Sequence, residues 1–216
     1  MWPEQLFKTS YHRNIKTEIG RILRASTAGF AIGSRVNQLE APAFGCLVIA
    51  EPIGDREAIF GLIYDMHIND DQLIQRLVMT EAPRPEIIED QRQNRMLPLE
   101  MSVLTVGYML NGVMRQGLPP RPPLNLDPVR LCTDEETVQF TNELNYLRLI
   151  QNNSATRIPA DQLLQAHILD VFARRGDDRP WAMAAVREVI ELLRGNYDML
   201  MPTLEGLSAS LPELDI

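Results

Sequence analysis

The chain changes its hydrophobic period several times. From Arg13 to Leu23, Ile15, Ile19, Ile22 and Leu23 fall at i, i+4, i+7 and i+8, the spacing that lines one helical face. An amphipathic N-terminal helix within residues 1–26 is predicted. In "TAGFAIGSRV" the period becomes two, with Phe30, Ile32 and Val36 set among small or polar residues, and "AFGCLVIAEP" is a compact apolar run ended by Pro52. Both read as strands. "REAIFGLIYDMH" places Ala58, Phe60, Leu62, Tyr64 and Met66 on one face and Ile59, Gly61 and Ile63 on the other. Apolar residues on both faces predict a strand covered on each side. "EMSVLTVGYML" repeats the pattern, with Leu104, Val106, Tyr108 and Leu110 opposite Met101, Val103, Thr105 and Gly107.

Glycines at 33, 45, 61 and 107 lie in these runs, where they weaken a strand unless curvature or a bulge requires them. Repeated curvature predicts a small closed β-barrel. A helical excursion near residues 69–96 is expected on one rim, from the caps Asn69 or Asp70 and the helix-opening Pro85.

The period returns to helical beyond Cys132. Thr133 followed by Glu136 has capping-box spacing, and Val138, Leu144, Leu147 and Ile150 extend one helix from it. "PADQLLQAHILDVFARRG" predicts a second, stopping at Gly176, and "RPWAMAAVREVIELLRGNY" a third, ending near Gly195. The tail from Pro202 onward is expected to be loose. Strands first and helices afterwards mark an α+β fold. The expected layout is an N-terminal helix (1–26), a barrel (27–132) and a C-terminal helical domain (133–216).

Charge narrows the partners. The formal net charge is -8, so general binding to phosphate backbones is not expected. Cations nevertheless gather at the start, where Lys8, Arg13, Lys16, Arg21 and Arg24 face only Glu4 and Glu18. That segment reads either as a solvated face or as a contact for nucleic acid, lipid or an acidic partner. No apolar run reaches the roughly 20 residues of a membrane helix, the first twenty residues have no apolar signal core, and a cytoplasmic location is the expectation. Cys46 and Cys132, each within an apolar run, read as small buried thiols.

Motifs for catalysis are sparse. "YDMHINDD" crowds Asp65, His67, Asp70 and Asp71 into a possible metal set, but strand end and helix cap explain the same residues. His167, flanked by Leu164, Ile168 and Val171, reads as a satisfied boundary histidine. There is no nucleophile elbow, HExxH or GxGxxG. No enzymatic role, cofactor or metal is expected.

"RQGLPPRPPLNLDPVRLCTDEE", residues 115–136, carries the most information. Pro119, Pro120, Pro122 and Pro123 fix φ and remove amide donors, which makes a stiff extended strut. The PxxP spacing with Arg121 also suits an aromatic-lined groove. Together with "GFAIGSRV" and "AIFGLIYDMH", this stretch resembles the HAS-barrel, the β-barrel shared by HerA-type DNA translocases and the N-terminal crown of ATP synthase subunits. The likeness covers roughly residues 27–136.

The resemblance implies a barrel that builds ring contacts and docks partners, such as an ATPase or a nuclease. The P-loop that would power a translocase has no counterpart, since Lys8 and Lys16 are the only lysines and neither follows a glycine-rich loop. The expectation is a non-enzymatic interaction or oligomer-assembly module. Its contact residues would be Arg115, Pro119, Pro120, Arg121, Pro122, Pro123 and Trp181, the last as part of an apolar contact with Met199, Leu200 and Met201. The alternative is an accessory subunit of a DNA translocase or nuclease system.

Overall fold

A computed structural model describes residues 18–36, 42–52, 57–68, 97–152 and 158–214. Its strands are β1 (Glu18–Ala25), β2 (Gly29–Val36), β3 (Leu47–Ala50), β4 (Ala58–Ile68), β5 (Leu97–Leu110), β6 (Val113–Gln116) and β7 (Pro128–Leu131). The helices after them are α1 (Asp134–Thr141), α2 (Leu147–Gln151), α3 (Ala160–Arg174), α4 (Arg179–Leu193) and α5 (Tyr197–Ser210), with a 3-10 turn at Pro212–Leu214.

Every strand pair is antiparallel. The order β2-β1-β7-β3-β4-β5 returns to β2 through eight paired positions, from Gly29 opposite Leu104 to Val36 opposite Leu97. Six strands therefore close a barrel. The far half of β5 carries β6 as a hairpin where β2 has ended. The α+β barrel fold expected from the sequence is the fold observed.

Two cores share the wall of β3 and β4. Val48, Ala50, Ile59 and Ile63 point into the barrel with Ile22, Ile32, Met101, Val103 and Val129. Leu47, Ile49, Phe60 and Leu62 face the other way and pack under the helices with Phe140, Tyr146, Leu147, Ile168 and Trp181. The two-faced apolar pattern of "AIFGLIYD" has this cause, because a strand buried on both sides has no polar face to alternate with. Phe60 stacks on Phe140 of α1 with ring centroids 4.8 Å apart. Fully burying a side chain of this size stabilises a fold by about 1.5–3 kcal/mol.

A bulge in β5 bends this wall. Phe60 pairs with Gly107 and Gly61 with Thr105, which leaves Val106 as the extra residue. A Cβ on Gly61 would stand 2.2 Å from Val103 Cγ1, so the glycine permits the close approach as well as the bend.

Three expectations need correction. The helical spacing of Ile19 and Ile22 belongs to a strand: β1 carries register shifts at Glu18/Gly20 and Ile22/Arg24, so its buried residues recur three apart and imitate a helix. The barrel thus begins at Glu18, and the rest of the expected N-terminal helix lies outside the described residues, as does the excursion near 69–96. The helix opening at Asp134 stops at Thr141, because Gln116 of β6 donates to the carbonyls of Phe140 (2.8 Å) and Glu143 (2.7 Å) and accepts from Tyr146 N (3.0 Å). Finally, the tail is not loose at Pro202. Helix α5 runs through it, held by buried Leu200, Thr203 and Leu207 and by Gln165, which donates to Pro202 O at 3.1 Å.

Candidate functional site

The connection from β6 to β7 crosses the end of the barrel where β3 stops and β4 starts. Arg121 marks the crossing with an ion pair to Glu57, 2.7 Å, just ahead of β4. The chain then reaches β1, where Leu126 N donates to Ile22 O (2.9 Å) and Ile22 N to Asp127 O (3.1 Å). Asp127 is buried and fixes the last turn by accepting Leu124 N at 2.8 Å. Among the contact residues expected from the sequence, Pro119 and Pro123 are buried anchors while Arg115, Pro120, Arg121 and Pro122 are exposed.

This burial decides between the two uses of the prolines. A polyproline ligand presents i and i+3 together, and here each such pair, 119 with 122 and 120 with 123, contains one buried proline. The segment is a strut across the barrel end. Leucines nevertheless stand among its outward residues. Leu118 is 52% exposed, Leu124 and Leu126 each 68%, and Leu23, one residue beyond the β1 position bonded to Leu126, is 48% exposed.

Leu126 stands out on a second count. Its φ of 71° lies in the left-handed region, which a branched non-glycine side chain occupies at a cost of order 1–3 kcal/mol. Two hydrogen bonds to its backbone hold it there: its N–H donates to Ile22 O, and its carbonyl accepts from the Arg21 side chain at Nη1 (3.0 Å). A leucine kept strained and in water gains nothing from the fold itself. Sequence reasoning passed over these leucines because an isolated leucine beside prolines has no periodic signal.

Trp181 is elsewhere and inward. Its indole N–H donates to Thr141 O at 2.7 Å, Arg175 covers the ring at 5.3 Å, and 6% of the residue is exposed. Trp181 is a core residue of the helical layer and offers no contact surface. Leu200 is buried as well, and Met201 is exposed on α5.

The other clusters are junctions between barrel and helices. Arg130 of β7, its side chain 6% exposed, holds both oxygens of Glu136 (2.6 and 2.7 Å) and Glu51 (2.5 Å). Burial alone disfavours its charge, but these hydrogen bonds outweigh it and raise its pKa. Glu136 also accepts Thr133 N (2.9 Å) while Thr133 accepts Glu136 N, so one carboxylate both caps α1 and ties it to the barrel. Arg174 binds Asp170 (2.7 Å) and Asp134 (3.2 Å).

Cys46, His167 and Asp170 come close enough to suggest a nucleophile, base and orienting acid. Their bonds answer otherwise. Burial and the neighbouring Asp170 push the Cys46 thiol up to about 12, away from the thiolate that reacts, and both nitrogens of His167 are occupied by Gly45 O and Tyr146. Cys132 is likewise buried and free. Asp65 and His67 are exposed on β4, while Asp70, Asp71 and His12 lie outside the described residues. Among the described residues no three metal-ligating side chains converge, and no helix is long and apolar enough to cross a membrane.

No protein-family model and no curated protein matches this chain.

Proposed function

We propose that this protein is a non-enzymatic docking or assembly module that uses the proline-crossed end of its barrel as the contact. The observation that carries the reading is Leu126, strained and exposed, in a strut whose Leu118 and Leu124 are exposed as well. Exposed apolar surface of this kind marks protein contacts.

The HAS-barrel likeness gains support from the closed six-strand ring, with its proline segment leading into a short strand and an acidic helix start. On that likeness the partner class is an ATPase or a nuclease, or further copies of this chain in a ring, and the cellular setting is cytoplasmic. The test compares the wild type with the double variant Leu124→Ser/Leu126→Ser, tagged and purified from the native cell. The reading expects a specific set of co-purified proteins, or a higher mass of the protein itself, that the variant loses while its circular dichroism is unchanged. Identical partners and mass for both proteins would count against it.

A further inference from the structure

His167 joins the helical layer to the barrel. It lies on α3, is fully buried, and bonds Gly45 O through Nδ1 at 2.9 Å and the Tyr146 hydroxyl through Nε2 at 2.7 Å. A carbonyl only accepts, so Nδ1 carries the proton and Nε2 accepts from the tyrosine. Gly45, at φ 86°, brings its turn against α3, where a Cβ would stand 2.9 Å from His167 N.

A second proton does not fit this arrangement. With Nε2 protonated, the Tyr146 hydroxyl must accept instead of donate, and its own hydrogen loses its partner. Among the described residues the hydroxyl has no other hydrogen-bond partner. Tyr146 is itself wholly buried, and an unpaired O–H is costly there.

The charges that bear on His167 are already committed. Asp170, one turn along α3, is paired with Arg174 and accepts the Cys46 thiol, and Arg174 also binds Asp134 of α1. Asp170 favours the imidazolium and Arg174 opposes it. Arg175 acts on Tyr146 from the end of α3. The buried residues that α4 and α5 turn into this core are apolar apart from Thr203.

We propose that His167 is an acid-sensitive latch, holding the helical layer on the barrel wall only while its ring is neutral. Burial, the leading influence, lowers its pKa from the ordinary value of 6.5. Above that pH the ring is neutral folded or unfolded. Below it the unfolded chain takes a proton that the folded chain refuses, so stability drops as the pH is lowered.

The test is urea unfolding of the full chain followed by tryptophan fluorescence at pH 7.5 and 5.0, for the wild type and His167→Gln. Below pH 6.5 the unfolded-to-folded ratio of the wild type should rise by an extra factor approaching tenfold per pH unit, the limit for one proton. His167→Gln should lack that increment. Equal pH slopes in the two proteins would overturn the latch. Should the variant fail to fold, an NMR titration of the wild-type imidazoles decides: His167 stays neutral until the helices loosen if the latch exists, whereas protonation near 6.5 with the fold intact refutes it.

Discussion

The barrel wall beneath the helices and the barrel end crossed by the prolines use the same residue types to opposite effect. Under the helices, leucines and phenylalanines of β3 and β4 are covered by α1–α4, and Arg130 and Arg174 are nearly enclosed by carboxylates. At the end, Leu118, Leu124 and Leu126 stand in water and Arg121 holds Glu57 with 69% of its side chain exposed. The wall is finished as an interior. The end has its backbone fixed but its apolar side chains uncovered.

Breaking the wall should cost most. Phe60→Ala removes the stack on Phe140 that joins β4 to α1 and is expected to lose about 3–5 kcal/mol in denaturant titration. Arg130→Ala leaves Glu136 facing the junction without its guanidinium. An expected loss of about 1.5–3 kcal/mol follows from the charge-assisted hydrogen bonds removed, and it should be readable as a lower urea midpoint at pH 7. Gly61→Ala forces a methyl to within 2.2 Å of Val103 Cγ1; overpacking of this kind costs about 1–3 kcal/mol.

At the barrel end the same measurements should barely move. Arg121→Ala breaks an exposed pair, worth about 0.2–1 kcal/mol. Leu126→Gly relieves the left-handed strain and should raise stability by up to about 1 kcal/mol. A loss above 2 kcal/mol there would mean that the leucine serves the fold after all, and the contrast between the regions would fail.

The difference also explains what could be read from the chain. Two-sided apolar strands, the capping box at Thr133 and the helices of Ala160–Leu193 were legible because burial imposes a period on them. Helix α1 ends where a side chain from β6, distant in sequence, takes over its carbonyls, and nothing local announces that. The strand Glu18–Ala25 was misread because two bulges reset its alternation. Arg130 was invisible as a junction, since its partners Glu51 and Glu136 meet only when β7 lies beside β3. The prolines showed where the strut runs, and only the fold shows which of them are buried.

A partner docked on the barrel end would cover its exposed leucines in the cell. Side-chain oxidation footprinting reads this directly, by comparing Leu118, Leu124 and Leu126 in the purified chain and inside the native cell. Docking there would give strong labelling of all three when purified and protection in the cell, with exposed Tyr197 of α5 labelled equally in both. Equal labelling of the three leucines in the two settings would contradict it.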